Sequence, residues 1–293
     1  MPFDDEFGFR QVEYQSHFDQ FAAPFLTGKN AENDRYFVNQ AKENHVYGIN
    51  NALLELISDA LMMLETVRFT KDAEHFLRYG VMRRVRMLMS AFRSFQSIIM
   101  PDRVIPLTQE QADDVCRDLN AVYINILGLL DNYAWVMVHQ AGNDATKAMK
   151  PMSIGLFKPV IAADPELKTT AHTLAPYAAW EADVKTRRNP AAHRMPLYVP
   201  SASYTREDLA EFERYEHLIS SALRAQEFEK LSDLRMASHR IGVFVPVFLH
   251  DPGEKVMDIY PTLPHDIGQL VKVGRIVQTF LREHDASLAA SGQ

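Results

Sequence analysis

The sequence predicts a mainly α-helical protein with a small β-hairpin near its C-terminus. Apolar residues recur at three- and four-residue steps over long segments, as they do from Leu53 to Val67, and this is the spacing of one helical face. The composition, 47% hydrophobic and 24% charged, is that of a folded domain and not of a disordered chain. The period changes over Ile241–Leu249, where β-branched and aromatic residues predict a strand.

The N-terminal half is predicted to hold three long helices. Few helix-breaking residues interrupt Ala31–Thr70, and a second periodic run covers Lys71–Met100, which a proline ends. Thr108 followed by Gln111 has the pattern of a capping box, in which the two side chains satisfy backbone N–H groups at the start of a helix. We expect the third helix to run from there to about His139.

The C-terminal half is predicted to hold three further helices and the hairpin. The expected elements are a helix from near Pro165 to about Arg188 with a break or kink at Pro176, a charged helix from Thr205 to about Leu231, strands within Ile241–Leu249 and Lys255–Tyr260, and a last helix over Pro264–His284. No sharp composition shift divides the chain. We therefore expect residues 1–293 to form a single helical domain, with the hairpin inserted near residues 240–260.

Charge and cysteine content narrow the function classes. The chain carries 31 basic and 38 acidic residues, so a contact with nucleic acid requires a local basic patch. The single cysteine, Cys116, excludes an intramolecular disulfide, and we expect a buried, unreactive thiol.

The N-terminus lacks the basic start of a secretory signal, and the most apolar stretch, Ile124–Val138, is too short and too polar to span a bilayer. These features predict a cytoplasmic protein with no membrane contact.

No short motif predicts a metal or a cofactor. None of the eleven histidines lies three or four residues from another, and no glutamate precedes a histidine by three residues. The helical metal-binding patterns are therefore missing. The glycine-rich loops that bind ATP or NAD are missing as well. We expect neither a metal nor a cofactor.

The segment Lys185–Pro196 differs from its surroundings. Asn189 followed by Pro190 predicts the start of a helical turn, with the asparagine as N-cap and the proline at the first helical position. A helix N-terminus favours anions. Three arginines and a titratable histidine flank it: Arg187, Arg188, His193 and Arg194. These residues predict a phosphate site with an acid–base group beside it.

Helical spacing distinguishes two of the arginines. Trp180, Val184 and Arg188 follow one another at four-residue steps, so Arg188 continues an apolar, inward-facing side, where a charge is costly without a partner or a task. Arg187 lies four residues after Asp183, which favours an ion pair on the surface. We therefore assign the functional role to Arg188 and a structural or auxiliary role to Arg187.

Arg188, Asn189 and His193, in the run Arg-Asn-Pro-Ala-Ala-His, resemble the signature of HEPN proteins (higher eukaryotes and prokaryotes nucleotide-binding), an arginine followed by a histidine after a short spacer. The resemblance implies an HEPN-like helical bundle, usually a homodimer. Many members of that family resemble metal-independent ribonucleases in which the arginine and histidine of two protomers meet in a cleft at the dimer interface. The resemblance further implies RNA as a ligand and a protein of antitoxin type as a partner.

For this chain the resemblance implies that Arg188 stabilises charge on the scissile phosphate and that His193 is the general acid–base for attack by the 2′-hydroxyl. Asn189 would hold the phosphate or orient His193, and Arg187 and Arg194 would bind substrate. The leading hypothesis is an HEPN-like RNA-binding protein or metal-independent endoribonuclease. Two alternatives stay open. One is a non-enzymatic helical interaction protein in which the motif only stabilises a turn, and the other is a binder of a small anionic ligand.

Two further patterns each have a functional and a structural interpretation. A polar stripe on the third helix recurs every seven residues: Asp118, Asn125, Asn132 and His139. It either faces the same cleft, with Asp131 or Asn132 supporting His193, or is a solvent-facing seam. Six arginines precede that helix: Arg78, Arg83, Arg84, Arg86, Arg93 and Arg103. They either track an RNA backbone or form a solvated or pairing face.

Overall fold

The structure of the protein, a computed structural model, describes residues 47–100, 103–251 and 256–291, and for residues 191–193, 261 and 286–291 it describes the backbone only. The helices are α1 (Ile49–Thr66), α2 (Lys71–His75), α3 (Arg83–Ile98), α4 (Gln109–Ala141), α5 (Asp144–Lys147), α6 (Pro159–Ala163), α7 (Lys168–Leu174), α8 (Ala178–His193), α9 (Arg206–Arg224), α10 (Phe228–Ser238) and α11 (Ile259–Ser291). A π-helical segment (Phe76–Met82), two 3₁₀ turns (Pro151–Ser153 and Ala175–Tyr177) and two strands, β1 (Val247–Phe248) and β2 (Met257–Asp258), complete the described elements. The predicted mainly helical class with a small antiparallel sheet is confirmed.

Helix α4 forms the centre of the fold. The predicted capping box is present, since Gln111 N donates to Thr108 Oγ1 and Thr108 N donates to Gln111 Oε1, each at 3.2 Å. The helix packs against α2, α3, α8 and α11. Among the described helices it is the one long and apolar enough to cross a membrane, but 67% of its most apolar window is buried inside the fold. That burial is typical of a core helix.

The helix predicted over Lys71–Met100 is present with one irregularity. It divides into α2, the π-helical segment and α3. Gly80 lies in the π-helical segment, and a Cβ atom on it would come within 2.8 Å of Asn132 Cγ on α4. The missing side chain lets the two backbones approach closely. The first helix is described only from Ile49 onward, so the predicted part over residues 31–46 lies outside the described residues.

The hairpin is shorter than predicted. Val247 pairs with Asp258 and Phe248 with Met257, and no further pair belongs to this sheet in the described part of the chain. The rest of the predicted first strand pairs elsewhere, because Tyr198 bridges to Leu249 and Ser203 bridges to Val243. The β-branched run therefore pairs with two segments, β2 on one hand and residues 198–203 on the other. The predicted turn at residues 252–255 lies outside the described residues.

Several helix boundaries differ from the prediction. The charged helix from Thr205 begins there with a capping box, but it ends at Arg224 and not near Leu231. Gln226 has a positive φ of 60°, which breaks the helix before α10 begins. The predicted break at Pro176 is confirmed as a 3₁₀ turn between α7 and α8. The last helix begins before Pro264, with non-helical backbone at Tyr260 near its start.

Candidate functional site

Helix α8 carries the predicted motif and runs without a break from Ala178 to His193. The predicted helix start at Asn189 and Pro190 is therefore wrong, because both residues lie in the last turns of this helix. Pro190 has no N–H and leaves the carbonyl of Thr186 without its helical donor, but the helix continues for three more residues. The C-terminal end of a helix carries partial negative charge. An anion at this motif must therefore be bound by side chains.

Arg187 is buried, with 5% of its surface exposed. Its Nη2 donates to Asp266 Oδ1 at 2.9 Å, and its Nη1 donates to Asp183 Oδ2 at 3.3 Å. The predicted pair with Asp183 is thus present, but the guanidinium lies inside the fold, over the ring of Tyr123. Seven residues are almost two helical turns, so position 187 lies only about 20° around the axis of α8 from Trp180. Position 188 lies about 80° around the axis from Trp180. The buried face that includes Trp180 therefore continues through Arg187.

A buried polar cluster forms around Asp266 on α11, and we call it the Asp266 cluster. Its other members are Arg187, Tyr123 and Trp180. Tyr123 Oη donates to Asp266 Oδ2 at 2.9 Å, and Trp180 Nε1 donates to Oδ1 at 3.0 Å. Burial raises the pKa of Asp266 to about 6, although Arg187 and the two other donors act in the opposite direction. The cluster joins α4, α8 and α11 through hydrogen bonds.

A cavity of about 300 Å³ lies beside Arg188, between α4 and α8. We call it the Arg188 cavity. Its lining residues come from three segments: Leu127, Leu130, Asp131 and Trp135 on α4; Pro151, Met152 and residues 154–158 in the connection after α5; and Glu181, Lys185, Arg188 and Asn189 on α8. Residues four apart share one helical face. One face of α4 and one face of α8 therefore form two walls, and the connection forms the third.

Arg188 is half-buried, and its guanidinium has donors to spare. Nη1 donates to Asn189 Oδ1 over a long 3.4 Å, and Nε is buried without a hydrogen-bond partner. Within the described part of the chain Arg188 forms no ion pair at hydrogen-bonding distance. Arg187 also has an unpartnered Nε, but two carboxylates hold the rest of its guanidinium. Of the two arginines, Arg188 is the one that lines the cavity.

The charged groups around the cavity leave an excess of positive charge. Three cations line it, Lys158, Lys185 and Arg188, against the two carboxylates of Asp131 and Glu181. Lys185 is paired with Glu181, one helical turn away. Desolvation raises the pKa of Asp131, although Lys185 and Arg188 act to lower it. The cavity is therefore a locally cationic site on a chain with a net charge of −7.

Two aromatic side chains, Trp135 and Phe157, also line the cavity. The ring of Trp135 lies 5.5 Å from that of Phe76 and 5.3 Å from that of His139, in nearly parallel planes. These contacts hold the indole in one orientation. Burial lowers the pKa of His139, which favours the neutral imidazole in this stack.

The remaining predicted site residues lie at the end of α8. The backbone of His193 completes the helix, and its side chain lies outside what the structure describes. Arg194 is exposed, and its backbone N donates to the carbonyl of Pro190 at 2.7 Å. Arg194 is not among the residues that line the cavity, whereas Asn189 is.

Three of the four stripe residues of α4, Asn125, Asn132 and His139, face the π-helical segment or α3. Asn125 is buried and lies near Arg84, whose Nη1 donates to its Oδ1 at 3.5 Å. Asn132 contacts the backbone at Gly80, and His139 stacks on an aromatic ring of the same segment. The solvent-facing interpretation is therefore wrong. Asp131, which lies beside the stripe, is the residue that reaches the cavity.

The arginines before α4 fit the structural interpretation best. Arg103 donates to the backbone carbonyls of Ile98, Ile105 and Pro106, and so fixes the connection before α4. Arg78 pairs with Glu74 at 2.7 Å.

Sequence reasoning missed several residues of the two sites. Glu181 precedes Lys185 by four residues, and that spacing alone predicts the ion pair. Asp266 is the one acid in the mainly apolar stretch from Ile259 to Leu281 of α11, and a carboxylate in such a place requires a partner. Lys158 reaches the cavity through the path of a connection, for which the sequence has no signal.

Neither a metal site nor a known relative adds to this description. Across the described residues, no group of three or more His, Cys, Asp or Glu side chains is placed to hold a metal ion. Comparison of the chain with protein-family models, with curated proteins and with solved structures finds no match. The resemblance to HEPN proteins therefore depends on residues 188–193 and on the helical fold.

Proposed function

We propose that the protein is an HEPN-like RNA-binding protein and that the Arg188 cavity receives a phosphate group of the RNA backbone. One observation carries the proposal. Arg188 lines a cavity with an unpartnered Nε and no carboxylate at hydrogen-bonding distance in the described part of the chain. A guanidinium with free donors in fixed positions suits the two-point recognition of a phosphate.

The neighbours of Arg188 support the same ligand. The Asn189 amide and the Lys158 ammonium line the cavity and offer further donors. Glu181 partly neutralises Lys185, so the attraction for an anion centres on Arg188. Because the dipole of α8 opposes an anion at its C-terminal end, we expect binding to depend steeply on this one side chain and on ionic strength.

Cleavage of the bound RNA is the second part of the proposal. The 2′-hydroxyl oxygen would form a bond to phosphorus while the bond from phosphorus to the 5′-oxygen breaks. His193 would take the hydroxyl proton and return a proton to the leaving 5′-oxygen, and Arg188 would stabilise charge on the scissile phosphate. On a continuous helix the two positions lie about 7.5 Å apart along the axis and about 140° apart around it, so the arginine of one protomer would act together with the histidine of its partner. As in the family it resembles, the active form would be a homodimer.

The binding test uses single-stranded RNA and three proteins: the wild type, Arg188→Met and Arg224→Met. Arg224 is an exposed arginine of α9 and controls for the loss of one positive charge. We expect Arg188→Met to weaken binding about tenfold or more and Arg224→Met to change it little. Equal weakening by both variants would show nonspecific attraction and would contradict the proposal.

The cleavage test uses the same RNA in EDTA with the wild type, His193→Ala and Arg188→Met. We expect cleavage by the wild type and its loss in both variants. If RNA binding requires Arg188 but the RNA is not cleaved, the RNA-binding part of the proposal is supported and the nuclease part is contradicted. Arg188-dependent binding of inorganic phosphate without binding of RNA would favour the small anionic ligand instead.

A further inference from the structure

The α4 wall of the Arg188 cavity is apolar except for one carboxylate. Leu127, Asp131 and Trp135 follow one another at four-residue steps and form the α4 side of the cavity. Lys185 and Arg188 form the α8 side. The cavity thus has an aromatic side chain, Trp135, on its α4 wall and an arginine, Arg188, on its α8 wall, with the Asp131 carboxylate on the aromatic side.

The volume limits what such a cavity admits. About 300 Å³ is at the lower end of small-molecule sites, which span about 300–1,000 Å³. That is room for one nucleotide and not for a base pair. Bases within an RNA duplex are stacked and present only their edges in the grooves, whereas bases of a single strand are free to stack on aromatic side chains.

We propose that the Arg188 cavity takes one unstacked nucleotide, with its base against Trp135 and its phosphate against Arg188. This inference rests on the proposed function, and it names the part of the RNA that the site recognises. The contacts of Trp135 with Phe76 and His139 hold the indole in place, so little side-chain freedom is lost when a base stacks on it.

Asp131 gives the same site a preference among bases. It lies one helical turn from Trp135, so the edge of a base stacked on the indole comes near its carboxylate. No hydrogen bond of Asp131 to a described residue occupies that carboxylate. A carboxylate accepts from an exocyclic amino group, as in its pairing with N4 of cytosine. The cavity therefore favours cytosine over uracil, which has a carbonyl at that position.

Tryptophan fluorescence tests the stacking directly, because the chain has two tryptophans. Trp180 is buried and bonded to Asp266, so Trp180→Phe leaves Trp135 as the one reporter. The probes are CMP, UMP and inorganic phosphate. We expect CMP to quench the Trp135 emission, and phosphate to compete with CMP without quenching. If Trp180→Phe does not fold, the Trp135 emission is obtained by subtracting the emission of Trp135→Leu from that of the wild type. Its quenching by CMP is then measured from this difference.

The variants separate stacking from phosphate binding. We expect Trp135→Leu to weaken CMP binding about tenfold and to leave phosphate binding unchanged. Phe228→Leu, which alters an exposed aromatic residue of α10, controls for the loss of a ring and is expected to change neither. Asp131→Asn should remove the preference for CMP over UMP, since an amide also donates.

The outcomes distinguish this inference from the proposed function. If RNA binding requires Arg188 but CMP neither quenches Trp135 nor binds more weakly to Trp135→Leu, the nucleotide subsite is wrong and the RNA-binding proposal stands. If CMP binds as expected but a cytidine oligonucleotide binds no more tightly than CMP, the subsite stands and RNA is not its ligand.

Discussion

Arg187 and Arg188 are adjacent in sequence and have opposite environments. Nη2 of Arg187 donates to Asp266 at 2.9 Å in the interior of the fold, while Arg188 faces the cavity with an unpartnered Nε. Successive helical residues lie about 100° apart around the axis, so one arginine can stabilise the fold while the other is available to a ligand. The same substitution at the two positions therefore separates stability from binding.

The first prediction compares Arg187→Met with Arg188→Met. Arg187→Met leaves the Asp266 carboxylate buried without its cation, and removing one partner of a buried pair costs about 3–5 kcal/mol. Arg188 makes no ion pair in the described part of the chain, so we expect Arg188→Met to change the free energy of unfolding by less than about 1 kcal/mol. Urea denaturation followed by circular dichroism measures both. Equal losses would mean that Arg188 is also a structural residue.

The second prediction concerns pH. The pKa of Asp266 is about 6 in the folded protein against about 3.9 in an unfolded chain, so folding favours the protonated form. This contribution to stability is fully present below about pH 4 and is lost as the pH rises to about 6. We expect the free energy of unfolding of the wild type, measured relative to that of Asp266→Asn, to fall by about 2 kcal/mol as the pH rises over that range.

The measurement for Asp266 is urea denaturation of both proteins at several pH values. Asp266→Asn cannot titrate at this position but keeps the size of the side chain, so carboxylates elsewhere affect both proteins alike. A pH-independent difference between them would show that Asp266 keeps an ordinary pKa in the fold.

Local signals in the sequence predicted much of the helical fold. The capping box at Thr108, the helix start at Thr205 and the break at Pro176 depend on neighbouring residues, and all three are present. The strands were predicted too long, because the length of a strand depends on partners distant in sequence. Here Val243 and Leu249 pair with Ser203 and Tyr198, and nothing within the β-branched run reveals those partners.

The sequence predicts the candidate site less well than the fold, for three physical reasons. Asn189-Pro190 has the residue types of a helix start, but the packing of α8 against α4 and α11 carries the helix past it. Four-residue steps from Trp180 predict that Arg188 faces inward, whereas the seven-residue step from Trp180 to Arg187 is the smaller rotation around the helix. Arg188 was predicted from its sequence neighbours, while Lys158 and Trp135 reach the cavity only through tertiary packing.

The third prediction tests the close approach at Gly80. Alanine normally stabilises a helix interior by about 1 kcal/mol relative to glycine. Here the new Cβ would lie 2.8 Å from Cγ and 2.9 Å from Oδ1 of Asn132, and such overpacking costs about 1–3 kcal/mol. We expect Gly80→Ala to destabilise the protein and Gly80→Ala with Asn132→Ala to recover most of the loss, as a double-mutant cycle in urea would measure. Additive effects would mean that the two residues do not press on each other.

The fourth prediction concerns Cys116, the one thiol of the chain. Its Sγ accepts a hydrogen bond from Val199 N at 3.3 Å, and burial raises the pKa of the thiol. The thiolate is the reactive form, so we expect a thiol reagent to label the folded protein at least about tenfold more slowly than the urea-unfolded protein at neutral pH. Because Cys116 is the one thiol, all specific labelling reports on it, and Cys116→Ser measures the background labelling. Equal rates in the two states would show that the side chain is open to solvent and that its pKa is not raised.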